Sequence, residues 1–360
     1  MPRVAIENLK LIEINVLINL IGKDLEAIRY ALADSPYSKQ ISGVSPEVLD
    51  YSFLESALMQ NYADTFQKLV KFSSGNIKKL LVALSKKFEI ANIKAIIRAV
   101  KAQIDVNEAL QNIFPLGSFD VDRCRAILET AESVEDVIVA LSDFEYGKVL
   151  KHVVAKNEGI TDLTLLEVAL DKFVYREISN NIEKLTGVDE KIAKDLLEIE
   201  LDTVNVKAIL KGKALAVNAE VLKEYLMPTG FFTEAILNEV MGIDDVKSMM
   251  EHLSLIVESA HPVYKKIFTK LLKESEAPLS RLEAILEKAP LEMSLHQLRE
   301  HSRYYQIGFL LAFIKLKWAE VKNLRCIVKG SERKIPPSQV QKLLTMPDDW
   351  QPSQSIRRSS

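Results

Sequence analysis

Glu89-Ile-Ala-Asn92-Ile-Lys94-Ala-Ile96-Ile97-Arg98-Ala99 is the stretch on which the fold turns, because it recurs twice. Asp202-Thr-Val-Asn205-Val-Lys207-Ala-Ile209-Leu210-Lys211-Gly212 follows at an offset of 113 residues, and Glu320-Val-Lys-Asn323-Leu-Arg325-Cys-Ile327-Val328-Lys329-Gly330 at a further 118. Wound as an α-helix, Glu89, Asn92, Ile96 and Ala99 are spaced 3, 4 and 3 and form one stripe. Lys94 and Arg98 form a second stripe at i, i+4, repeated as Lys207/Lys211 and Arg325/Lys329. Like charges so placed do not help an isolated helix, so the row predicts acidic partners on a neighbouring helix. A buried asparagine without partners is costly, so Asn92, Asn205 and Asn323 are expected to bond to neighbouring backbone. The stripe ends in Ala or Gly, where another helix can come close. On this reading the twelve repeated polar residues hold the fold together, and a contact to a partner protein is the lesser alternative.

Three further blocks flank this one and keep the same order. The first ends in a tyrosine, Ala31-Leu-Ala-Asp34-Ser-Pro-Tyr37-Ser-Lys39 against Ala140-Leu-Ser-Asp143-Phe-Glu-Tyr146-Gly-Lys148, with a weaker copy at His261-Pro-Val-Tyr264-Lys265. The second is Leu54-Glu55-Ser-Ala-Leu58, Leu166-Glu167-Val-Ala-Leu170 and Leu282-Glu283-Ala-Ile-Leu286. The last is a turn, Pro115-Leu-Gly117 and Pro228-Thr-Gly230, which the third copy lacks. Four blocks in one order at one period predict a triplicated unit. The expected division is an N-terminal helix over 1–23, repeat lobes at 24–130, 131–242 and 243–344, and a disordered polar tail over 345–360. Leu54 to Lys71 and Ile77 to Gln103 are both periodic about a Ser73-Ser-Gly-Asn76 break, which predicts a hairpin of long helices in each lobe. The fold class is all-α: twelve glycines and twelve prolines in 360 residues leave long elements uninterrupted, against about 12% of such residues in ordinary chains.

The net charge of −3 gives no electrostatic reason to expect nucleic acid. Cys124 and Cys326 stand far apart with no CxxC, so neither a disulfide framework nor a zinc site is expected. The most apolar run, Ile307 to Ile314, is eight residues long, far short of the roughly 18 that span a bilayer. No signal peptide is read at the N-terminus, which places the chain in the cytoplasm. No P-loop, dinucleotide fingerprint or HExxH occurs, so no catalytic residue, cofactor or metal is assigned. His296 and His301, at i, i+5, lie on different helix faces and do not make a metal pair. Tyr304-Tyr305 and the other aromatics read as core or surface rather than as a base-stacking platform.

The chain resembles the C-subunit family of archaeal A-type and bacterial V/A-type ATP synthases, related to the d subunit of vacuolar ATPases. The likeness rests on Glu320-Val-Lys-Asn323-Leu-Arg325 with Gly330, the sister copies at Asn92 and Asn205, Pro115-Leu-Gly117, and Leu141-Ser-Asp143-Phe-Glu-Tyr146-Gly147. It covers about residues 24–344. The opening segment and the tail after Leu344 depart from the family pattern, and Ala99 stands where the other copies have Gly. The resemblance implies a funnel of three helical lobes about a pseudo-threefold axis. It also implies a non-catalytic central-stalk rotor subunit that couples the central shaft to the membrane ring for proton or sodium transport. The implied partners are the proteolipid subunits of the ring and the shaft subunits, without nucleic acid or direct membrane insertion. The implied place is the cytoplasmic side, peripheral to the cell membrane through the complex. A helical repeat scaffold unconnected with ATPases is the alternative, although repeats of 20–45 residues are usual there.

Overall fold

Helix stops that fall at equivalent places are the first sign of how the sequence dictates the structure. The structure, a computed structural model, describes residues 10–42, 50–157, 159–160, 162–301 and 307–347, the His301 side chain excepted. All regular elements among these residues are helical. Six long helices dominate: α1 (Tyr51–Phe72), α2 (Gly75–Ala102), α3 (Leu163–Ile182), α4 (Gly187–Ala214), α5 (Leu279–His301) and α6 (Ile307–Glu332). Shorter helices connect them. No helix of the described residues is long and apolar enough to cross a membrane.

The quoted stretches lie in α2, α4 and α6, and those helices end alike. Gln103, Ala216 and Lys334 take left-handed φ values of 53°, 51° and 53°. The next residue donates back to the small residue of the motif: Ile104 N to Ala99 O at 3.0 Å, Val217 N to Gly212 O at 2.8 Å and Ile335 N to Gly330 O at 2.8 Å. This is the Schellman cap, which satisfies carbonyls that a helix end leaves open.

The small residue has its own packing reason. A Cβ on Gly212 would lie 2.8 Å from Leu222 Cδ2, and one on Gly330 would lie 2.6 Å from Val340 Cγ2. Position 109, the sequence counterpart of 222 and 340, is alanine, and there the helix carries Ala99 instead of glycine. The pair trades bulk between its two members. Leu222 can rotate its terminal methyls away, whereas Val340 is β-branched and stiff at χ1. Exchanging glycine for alanine also favours a helix by roughly 1 kcal/mol. Gly330→Ala is therefore expected to lower stability by about 1–2 kcal/mol through overpacking. Gly212→Ala should leave it nearly unchanged. Parallel thermal melts check both.

The chain divides into two compact units, residues 59–185 and residues 1–58 with 186–360. In the first, α2 packs along α3, and Phe88 stacks on Phe114 at 4.5 Å. A second aromatic group joins Phe119, Phe144 and Tyr146 edge to face. In the other unit α4 packs along α5, and α5 along α6. Its core gathers Val206, Ile209 and Leu210 of α4 with Phe232, Tyr264, Phe268 and Leu286. The expected hairpin thus has extensive helix-on-helix packing in its third instance, α5 on α6. In the first two, the second long helix lies chiefly along the first long helix of the following copy.

The apolar run Ile307 to Ile314 is entirely buried in α6. Over the expected N-terminal helix, the described residues form only Ile14–Asn19 before Gly22, at φ +77°, turns the chain and Asp24 caps the next helix, Leu25–Ala33. Residues 1–9, Tyr304-Tyr305 and the tail from 348 onward lie outside the described residues. Thr345, placed by the sequence at the head of a disordered tail, is ordered by two hydrogen bonds to Asn323.

Candidate functional site

The acid and the asparagine of the repeated stripe are buried in all three stretches, and their local chemistry follows from where α2, α4 and α6 point them. Each asparagine faces the backbone 22 residues downstream. Asn92 Nδ2 donates to Phe114 O at 2.8 Å and to Phe119 O at 2.7 Å, while Asn92 Oδ1 accepts from Phe114 N at 2.8 Å. Asn205 accepts from Met227 N at 2.7 Å and donates, at longer range, to Met227 O at 3.3 Å. Asn323 accepts from Thr345 N and donates to Thr345 O, both at 3.0 Å. A primary amide can bond donor and acceptor of one backbone residue at once, which leucine or aspartate cannot do.

One helical turn earlier sits the acid. Glu89 accepts from Ser118 N at 2.7 Å and Tyr146 Oη at 2.6 Å. Asp202 accepts from Phe231 N at 2.9 Å, Phe232 N at 3.2 Å and Tyr264 Oη at 2.6 Å. Glu320 accepts from Tyr37 Oη at 2.7 Å, from Ile12 N, and from the ammonium of Lys317 at 2.7 Å. These tyrosines are the three that close the first sequence block. In two copies the turn glycine is what admits the carboxylate: a Cβ on Gly117 would meet Glu89 Cγ at 2.4 Å, and one on Gly230 would meet Asp202 Oδ1 at 2.6 Å.

The basic row reaches the second-block acids Glu55, Glu167 and Glu283 and, one helical turn further on, Asp171 and Glu287. Lys94 pairs with Asp171, and Arg98 forks onto Glu167, with Nε donating at 2.6 Å. Lys207 and Lys211 pair with Glu287 and Glu283 at 2.6 and 3.0 Å. Arg325 and Lys329 share Glu55 at 3.6 and 3.5 Å. Every one of the twelve sequence-selected residues is therefore engaged inside the chain. What the sequence reading missed were the partners, Tyr37, Tyr146 and Tyr264 and the block acids, although their recurrence at the same period was the available signal. It also missed Lys317, a charged residue in an apolar helical run.

Burial pushes the Asp202 carboxyl up to about 7, against the pull of the Tyr264 hydroxyl and the two backbone donors. Burial and the neighbouring carboxylate raise the Tyr264 phenol, and burial lowers the Lys317 ammonium. A carboxyl raised in the folded state stabilises it fully below the unfolded value, near 4, and loses that contribution as pH rises through 7. His261, pushed down to about 4 by burial and by His296, works in the opposite direction between 6.5 and 4. Asp202→Asn keeps one acceptor oxygen, enough for Phe231 N and Tyr264 Oη, gives up the acceptor for Phe232 N, and removes the titration. The difference in stability between wild type and Asp202→Asn should therefore change by about 3–4 kcal/mol from pH 4 to pH 8. Denaturant melts across that range measure it.

A pocket of about 270 Å³ lies between α2 and α3 beside Lys87, Lys94, Arg98, Asp171 and Tyr175. Its charges are turned on one another, since Lys94 pairs with Asp171 and Lys87 lies 4.7 Å above the Tyr175 ring. Cys124 and Cys326 are free thiols, and burial pushes Cys124 up to about 12. Among the described residues no group of three or more His, Cys, Asp or Glu side chains is placed to hold a metal ion. His296 meets His261, ring centres 4.7 Å apart.

Comparison with known proteins bears on what such a molecule is for. The family model described as ATP synthase (C/AC39) subunit matches residues 5–343. The C subunit of the A-type ATP synthase of Methanocaldococcus jannaschii is 29% identical over 326 residues, 89% of this chain and 78% of its own length. That of Methanosphaera stadtmanae is 26% identical over 336 residues, covering 90% and 84%. That of Pyrococcus furiosus is 23% identical over 328 residues, covering 90% and 83%. With nearly its whole length matched, this chain belongs to the ATP synthase (C/AC39) subunit family and is a non-catalytic subunit of an A/V-type ATP synthase.

Proposed function

We propose that the chain is the central-stalk subunit that couples the shaft of the ATP synthase to its membrane rotor ring, for proton or sodium transport. Membership of the family over residues 5–343 carries this reading. The internal chemistry supports it. A coupler must transmit torque without yielding, and satisfied buried polar networks rigidify the elements they join. The three asparagine clamps, each reaching 22 residues downstream, are such a network. On this reading the lobes at 24–130, 131–242 and 243–344 are three copies of one unit arranged as a pseudo-threefold funnel. The twelve stripe residues are then structural rather than contacts. The partners are the ring proteolipids on one side and the shaft subunits on the other, and the chain reaches the cytoplasmic face of the membrane through them.

The test is recovery of the tagged chain from gently solubilised native membranes, with companions identified by mass. Co-recovery of a small proteolipid with shaft and nucleotide-binding subunits is the expected result. Recovery alone, or with unrelated soluble proteins, would overturn the coupling role and favour a repeat scaffold.

A further inference from the structure

Glu89 and Asp202 are each closed by backbone from their own downstream turn: Ser118 lies 29 residues after Glu89, and Phe231 lies 29 after Asp202. Glu320 is closed instead by the start of the chain, through Ile12 N and Tyr37 Oη, 308 and 283 residues upstream. The same strap is pinned where Ser331 Oγ donates to Lys23 O at 2.8 Å. Its apolar side chains Leu17, Ile28, Leu32 and Ile41 are fully buried. Of the three closures, this one encloses a charge pair. Lys317 is 1% exposed, bonds Glu320, and has its ammonium 3.9 Å from the centre of the Tyr37 ring. The position three residues before the acid is Lys86 in the first stripe, paired near the surface with Glu177. In the second it is the apolar Ile199.

We propose that the contact between residues 10–41 and α6 is the joint at which this protein opens first, while the closures at Glu89 and Asp202 stay shut. Two physical terms lead there. The strap joins chain segments remote in sequence, so it can leave as one piece. Opening also returns a buried ammonium and carboxylate to water, which recovers a desolvation cost that the other two closures do not carry in this form. Burial already lowers the Lys317 ammonium, in line with that cost. On the coupling reading above, such a joint lets the protein admit or release the shaft without unfolding; the joint itself does not depend on that reading.

Hydrogen exchange of the isolated full-length chain, followed by mass spectrometry, tests it. Amides of residues 12–41 and 317–332 should exchange together, at least tenfold faster than those of 92–119 and 205–232. Lys317→Ile with Glu320→Gln, which copies the apolar neighbour of the second stripe and keeps an acceptor for Ile12 N, should slow that opening about tenfold. Tyr37→Phe, which keeps the ring and removes the hydroxyl, should speed it. Protection at the joint equal to or greater than at the other two closures would overturn the proposal. So would opening that neither variant changes. Because the experiment uses the chain without its partners, either result stands apart from whether the chain couples a ring to a shaft.

Discussion

Asn92→Leu should cost residues 59–185 about 3–6 kcal/mol of stability. Three hydrogen bonds vanish, and Phe114 N, Phe114 O and Phe119 O are left without them in a buried setting, each at about 1–3 kcal/mol. Leucine matches asparagine in the number and branching of its heavy atoms, although its methyls are bulkier, so no cavity is left to confuse the result. Asn205→Leu should cost less, about 2–4 kcal/mol, because only its bond from Met227 N is short and its donors reach 3.3 and 3.5 Å. Denaturant melts give the order, and hydrogen exchange locates the loss at 92–119 or 205–232. Unchanged stability accompanied by loss of partner subunits would mean that the asparagines are contacts and not clamps.

The second large effect concerns Lys317. Lys317→Met leaves the Glu320 carboxylate buried with two neutral donors, Tyr37 Oη and Ile12 N. Breaking a buried pair from one side costs about 3–5 kcal/mol. Asp202 shows what an acid in such a place becomes without an ammonium beside it: burial raises it to about 7. In Lys317→Met, burial without the ammonium should raise the Glu320 carboxyl in the same way, so that variant should lose stability as pH rises through neutrality. Replacing both charges, Lys317→Ile with Glu320→Gln, should return stability to that of wild type or above. If the single variant were as stable as wild type at pH 8, the burial of this pair would be energetically idle.

Much of this was legible in the sequence because helices write periodicity directly. The 3, 4, 3 spacing of Glu89, Asn92, Ile96 and Ala99 gave the stripe, and the like-charged row implied acids elsewhere. The hairpin expectation held for α5 on α6, whereas α2 and α4 lie chiefly along the long helix that follows them, for a physical reason. Sequence adjacency suggested that α1 would lie along α2, but the charges of α2 and α4 match Glu167, Asp171, Glu283 and Glu287 on α3 and α5. Pairing therefore runs from one copy to the next. The tyrosines recur at the repeat period, but they lie 57, 62 and 283 residues from the acids they meet, and no local pattern pairs residues at such distances. Lys317 was hidden because a lysine among apolar residues reads as a solvated edge. Only its burial against Tyr37 marks it as structural.

The most direct test of the coupling role is a covalent cross-link between this chain and a ring proteolipid inside the intact ATP synthase. Two parts that rotate together can be joined without penalty. The coupling reading predicts that the linked enzyme keeps ATP-driven ion pumping within about twofold of the unlinked one. Pumping that stops on cross-linking and returns when the link is cleaved would place this chain on the stationary side and contradict the account.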